Sequence, residues 1–197
     1  YRQLNVGQLN DTEKLEEMKI KISFYTKTLC KWLIRSDRFS EAEKLLKEEF
    51  FSQNQEMNPI NDWKIYFLFS KCCKSQSQSF NALLQCVKMN PTIALKFTPK
   101  IFSLLFSDTN LQGNNNSDSE YEEEEEEEIT KVTSNETKKM IELFRENYIK
   151  TSPSVWLFHI PQIISMLGTE FNDLMNELLI YISTDYLQDV AHTVVSS

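Results

Sequence analysis

Three glycines and five prolines in 197 residues are too few for a turn-rich β-sandwich or barrel. Histidine occurs only twice, and His159 and His192 are far apart with no Cys, Asp or Glu at ligand spacing. The four cysteines, Cys30, Cys72, Cys73 and Cys86, include no C-x-x-C pair for zinc. Adjacent Cys72 and Cys73 cannot close an ordinary disulfide, so all four read as reduced thiols inside helices of a cytosolic or nuclear protein. Apolar runs such as Ile101–Phe106 are far shorter than the roughly 20 residues that cross a bilayer. No glycine-rich phosphate loop, G-x-S-x-G elbow or H-E-x-x-H helix occurs. The expectation is a chain with no catalytic site, no cofactor and no metal.

Basic patches are lacking too. The net charge is −8, and Glu120 with Glu122–Glu128 carries all of it, so the remainder is balanced. Without a cationic face to release counterions, neither nucleic acid nor a membrane is an expected partner. There is no signal peptide or lipid motif, and the sequence begins at Tyr1 rather than Met. A segment of a longer protein is expected.

What is present is helical periodicity. Asp11 is a candidate cap for a helix to about Ser36, with Leu15, Met18, Ile22, Tyr25, Leu29, Trp32 and Leu33 on its buried side. After a turn at Ser36–Arg38, Ser40 and Glu43 fit a capping box, and Ala42, Leu45, Leu46 and Phe50 face inward. Phe39 and Ala42 are expected where these two helices cross, as in a tetratricopeptide-like hairpin, although the full repeat pattern is absent.

Asn58-Pro59 breaks the chain. Asn61 or Asp62 then starts a third helix, whose Trp63, Tyr66, Phe67 and Phe69 suggest burial between two layers. A fourth helix, Gln76 to Met89, turns Phe80, Leu83, Leu84 and Val87 to one side, and Asn90-Pro91 closes it. Residues 92–107 form a fifth helical stretch, kinked or restarted at Thr98-Pro99, with Leu95, Ile101, Leu104, Leu105 and Phe106 as core. Residues 135–149 direct Met140, Ile141, Phe144 and Tyr148 inward.

From Trp156 to Leu167 a further apolar helix is bracketed by Ser152-Pro153 and Gly168, with Pro161 kinking it in the middle. Thr169 caps the next, with Phe171, Leu174, Met175, Leu178, Leu179 and Ile182 in register, and Tyr186 to Val195 begins another. The fold class read from this is all-α, with antiparallel helical hairpins stacked as an α-solenoid of tetratricopeptide or HEAT-like repeats. Helical repeats are assigned to 11–107 and 134–197.

Residues 108–133 lack periodicity, and their Asn and Glu runs are expected to be a disordered insertion. Two readings of it stand: a solvated acidic spacer, or a run (Glu120–Glu128) that docks basic proteins such as histone tails. Ser117 and Ser119 each have a Glu three residues on, as acidophilic kinases prefer, and are candidate phosphosites.

Trp156-Leu157, followed by Ile160-Pro161-Gln162-Ile163-Ile164 and Leu167, resembles the W-L-x-x-I-P-Q-L-L-x-x-L motif of the FAT domain. That helical-repeat region precedes the kinase domain in phosphatidylinositol-3-kinase-related kinases. Leu174, Leu178, Leu179, Ile182, Tyr186 and Gln188 keep the register of the segment that follows in the family, while Leu187 and Asp189 depart from its Y-P-Q-A turn.

Leu84–Val87 and the run Lys96–Asp108 are most similar to the transformation/transcription-associated pseudokinase branch. Phe24-Tyr25, the Ser40–Ala42 hairpin and Trp63 also fall near positions expected of that branch. The resemblance implies a scaffold segment of a nuclear histone acetyltransferase co-activator complex. Its partners would be other subunits and the protein's own kinase-like domain. Two alternatives remain: the FAT segment of an active, target-of-rapamycin-like kinase, which would be cytoplasmic, or a free-standing helical-repeat adaptor.

Overall fold

Apolar side chains recur every three or four residues with almost no glycine between them, and the chain coils accordingly. The computed structural model describes residues 4–51, 62–106 and 123–196, with side chains from residue 13 onward and, in the last stretch, from residue 135. Every regular element among them is helical, as the periodicity predicts. These are α1 (Leu4–Arg35), α2 (Phe39–Phe50), α3 (Trp63–Cys72), α4 (Gln76–Met89), a 3-10 helix (Pro91–Lys96) and α5 (Thr98–Leu105). They continue with α6 (Glu123–Tyr148), α7 (Ser154–Leu157), α8 (Ile160–Ser165) and α9 (Asn172–Ser196). The chain divides into two compact units, residues 1–73 and 74–197.

In the first unit α1, α2 and α3 pack pairwise. The turn after α1 closes with Arg38 N–H on the Leu33 carbonyl (2.9 Å) and Asp37 N–H on that of Ile34 (3.2 Å). Asp37 takes the left-handed position at φ +57, which a short polar side chain tolerates. The core is small: Cys30, Leu33, Ala42, Leu46, Ile65, Leu68 and Cys72. Asp62 caps α3 as expected, accepting from Lys64 N–H at 3.0 Å.

Expectations about the starts of α1 and α2 and about the buried face of α3 fail in this unit. Asp11 starts nothing, because α1 is already helical from Leu4. Ser40 and Glu43 form no capping box: the cap position falls on Arg38, which forks onto Glu41, while Glu43 pairs with Lys47 (2.7 Å) one turn on. The aromatic residues of α3 are only half-buried, and its inner face is Ile65, Leu68 and Cys72.

The second unit matches the periodicity more closely. α4 spans the predicted residues and buries Phe80, Leu83, Leu84 and Val87. The next helical stretch does restart at Thr98-Pro99, where Pro99 occupies the first turn of α5; Leu95 is exposed. α4 and α5 pack against α6, so the division falls after Cys73 and not at the acidic run. α6 begins at Glu123, so the second half of the stretch expected to be disordered is helical. Glutamate is a good helix former, and carboxylates suit the positive end of the helix dipole. Residues 107–122, with Ser117 and Ser119, lie outside the described residues.

Candidate interaction surfaces

The motif with the strongest sequence signal folds differently from the single kinked helix expected. α7 ends at Leu157 and α8 starts at Ile160, with His159 between them as the cap residue of α8. Pro161 therefore sits in the first turn of α8, where a missing N–H costs nothing, and no mid-helix kink is needed. Gly168 ends the segment at φ +86 as expected, and Thr169 accepts the Phe171 N–H at 3.2 Å ahead of α9. Ser152 caps no helix N–H by its side chain; its hydroxyl bonds that of Ser154 at 2.8 Å.

The side chains of the motif separate into two groups. Trp156, Ile160 and Ile163 are fully buried, Leu157 and Leu167 are half-buried, and Pro161 and Gln162 are exposed. Trp156 meets Phe144 at 5.2 Å and Phe102 at 6.1 Å, edge to face, in a cluster that includes Phe80. Its indole N–H has no hydrogen-bond partner among the described residues. A buried orphan of this kind costs about 1–3 kcal/mol, so the ring is held there by packing. This motif is an anchor of the second unit's core rather than a surface.

His159 bonds Thr98 through Nε2, and Thr98 also donates to the Ala94 carbonyl (3.2 Å). A hydroxyl has one proton, so Nε2 carries the hydrogen and donates to Thr98. Burial beside the Phe102 ring (5.4 Å) holds the His159 pKa below its ordinary value. The arrangement fixes a neutral imidazole in place. Burial likewise pushes the Cys30 thiol up to about 11 and those of Cys72, Cys73 and Cys86 to about 12, which keeps them protonated and unreactive. All four are free thiols. Among the described residues no group of three or more His, Cys, Asp or Glu is placed to hold a metal, and no helix is long and apolar enough to cross a membrane.

The surface that stands out was misassigned by periodicity. Leu15, Met18, Ile22, Tyr25, Leu29 and Trp32 of α1, expected to be buried, are each between 47% and 68% exposed. Their alternating three- and four-residue spacing lines them along one stripe, while the inner face of α1 is Thr26, Cys30 and Leu33. Lys27 reaches Asp62 from beside that inner face and ties α1 to the start of α3. Burial alone would raise the Asp62 carboxyl. The Lys27 hydrogen bond, the Lys64 N–H and the two ammonium charges outweigh it and hold the carboxyl below the ordinary carboxylate range. Sequence reasoning found the stripe but not its orientation, since a pattern records which residues share a face and not what covers it.

Comparison with protein-family models, with curated proteins and with solved structures finds no match to this chain.

Proposed function

We propose that this chain is a non-catalytic scaffold segment of FAT type, a stretch of stacked helical hairpins that holds other domains and subunits in position. The observation that carries the reading is the α1 stripe. Six large apolar side chains at 47–68% exposure form a contiguous surface of a kind that marks interaction sites. In a solenoid each hairpin buries one side against the next, and such a stripe is the half-interface a neighbouring repeat would cover.

The Trp156-Leu157 and Ile160–Ile163 motif supports the FAT assignment, because its spacing places three anchors in one core and leaves Pro161 and Gln162 outside. Within that family the run Lys96–Asp108 favours the transformation/transcription-associated pseudokinase branch. The full protein would then be a nuclear component of a histone acetyltransferase co-activator complex, contacting partner subunits and its own kinase-like domain.

Affinity purification of the full-length protein from nuclear extract tests this. The eluate is expected to acetylate histone peptides and to lack protein-kinase activity. Robust phosphoryl transfer, with an intact catalytic-loop Asp and Asn in the reading frame, would instead make these repeats the brace of an active kinase.

A further inference from the structure

A second surface of the first unit has a different chemistry. Between the last turns of α1 and the length of α3 runs a groove of about 350 Å³, lined by Lys31, Ile34, Arg35, Trp63, Lys64, Phe67, Leu68 and Lys71. Half of these residues are cations and none is acidic. Lys31 and Arg35 are one turn apart, about 6 Å along α1, and Lys64 and Lys71 two turns apart, about 10 Å along α3. Two cationic rims thus flank a floor of Ile34, Trp63, Phe67 and Leu68.

All four cationic side chains are exposed, and none is in a salt bridge with a described residue. Asp62, at the head of α3, is already engaged by Lys27. The Lys71 ammonium lies 4.5 Å from the Phe67 ring centre and that of Lys64 5.8 Å from Trp63, so the aromatic faces position the charges over the floor.

We propose that this groove docks a short acidic peptide segment that carries an aromatic or large aliphatic side chain among its carboxylates. The apolar side chain would lie on the floor against Trp63 and Phe67, whose ring centres are 6.4 Å apart, while carboxylates meet Lys31 and Arg35 on one rim and Lys64 and Lys71 on the other. Charge complementarity selects an acidic occupant, and the layout selects a peptide. A compact polyphosphate needs cations converging on a point, whereas these are spread along two helices about an apolar floor. Nucleic acid would need a continuous cationic face to release its counterions, and four cations about an apolar floor do not make one. The assignment stands on the first unit alone and does not need the scaffold reading.

The test uses the full 197-residue chain and a fluorescein-labelled peptide of about twelve residues, half Asp and Glu around a Leu-x-x-Phe pair, followed by fluorescence anisotropy. Saturable binding is expected, weakening by about tenfold or more in the Lys31→Glu/Lys64→Glu variant and unchanged in Lys44→Glu on α2. Replacing the peptide's Leu and Phe by Ala is expected to weaken it several-fold, an arm that leaves the protein's fold untouched. Circular dichroism melts of the variants, whose altered side chains are exposed, are expected to match the parent.

Four results would overturn the proposal. The first is no binding, and the second is equal binding of the alanine peptide. The third is tighter binding of a single-stranded DNA 12-mer or of inositol hexakisphosphate, which would make this a polyanion site. The last is a concentration-dependent mass that Lys31→Glu/Lys64→Glu abolishes, which would make the occupant a second copy of the chain.

Discussion

The two units place their large side chains in opposite ways. The second buries Phe80, Phe102, Phe144, Trp156 and Phe171 completely. Among the described residues of the first, no aromatic is fully buried: two cysteines, one alanine and four larger aliphatic residues make the core. Its large apolar residues lie along the outer stripe of α1, and its aromatic floor lines an open groove. Aromatic rings bury the most apolar area per residue and dominate both cores and interfaces. The second unit buries rings completely, and the described rings of the first are at most half-buried. A surface of that kind is what a docking module requires, and the contrast generates predictions of graded size.

The largest effect belongs to Trp156→Ala, which removes a fully buried ring from the cluster with Phe102 and Phe144. A destabilisation of about 3–5 kcal/mol is expected in urea unfolding followed by circular dichroism. A loss below about 1 kcal/mol would mean that the second unit does not depend on its aromatic core, and the comparison would collapse.

In the first unit the corresponding fastener is polar. Asp62→Ala removes both the cap of α3 and the link to Lys27, with an expected cost of about 1–2 kcal/mol, most of it from the cap because the ion pair is partly solvated. The pH dependence follows from the lowered pKa of Asp62. The folded state resists protonating this carboxylate more than the unfolded chain does. Its contribution is therefore complete above the ordinary carboxylate value near 4 and disappears as pH falls through the depressed one. Melts between pH 5 and pH 2 should show parent and Asp62→Asn converging. Parallel curves would remove Asp62 as the tie between α1 and α3.

His159 gives the second unit a smaller signal in the same direction, at higher pH and from burial rather than from an ion pair. Its pKa is lowered by burial, so the unfolded chain takes up the proton first. Stability is lost as pH falls below the ordinary histidine value near 6.5 toward the depressed one. Melting points at pH 7.5 and 5.5 are expected to differ by less in His159→Gln than in the parent. An equal difference would place the titration elsewhere.

Legibility in the sequence followed the same divide. α4 and the buried positions of α9 could be read off because Phe80, Leu83, Leu84 and Val87, or Leu174, Leu178 and Ile182, form stripes that the structure covers. α1 has as clear a stripe and it faces out, because periodicity carries no information about coverage. The buried side is marked instead by Thr26 and Cys30, small residues that let α2 approach α1 closely enough for the Cys30 thiol to reach the Ala42 carbonyl at 4.0 Å. The groove escaped detection for a related reason. Lys31 and Arg35 are 29 to 40 residues from Lys64 and Lys71, in a chain whose net charge points the other way, and only the packing of α1 on α3 brings them onto one surface. Pro161 was misread because a proline inside an apolar run signals either a kink or a first turn, and a break at Phe158-His159 leaves no mark in the hydrophobic pattern.

The smallest effect is the one that separates the units most sharply. Met18→Gln and Tyr25→Gln together replace two large apolar side chains of α1 by one of similar helix propensity. Were the stripe part of the first unit's core, as spacing alone predicts, the pair would cost several kcal/mol. Exposed at 59% and 68%, they are instead expected to change the unfolding free energy by no more than about 0.5 kcal/mol. The same variant should weaken any partner that covers the stripe, so that stability and assembly move independently. A loss of stability approaching that of Trp156→Ala would place the two residues inside the fold of the isolated chain. The first unit would then be as self-contained as the second, and the scaffold reading would lose the surface that carries it.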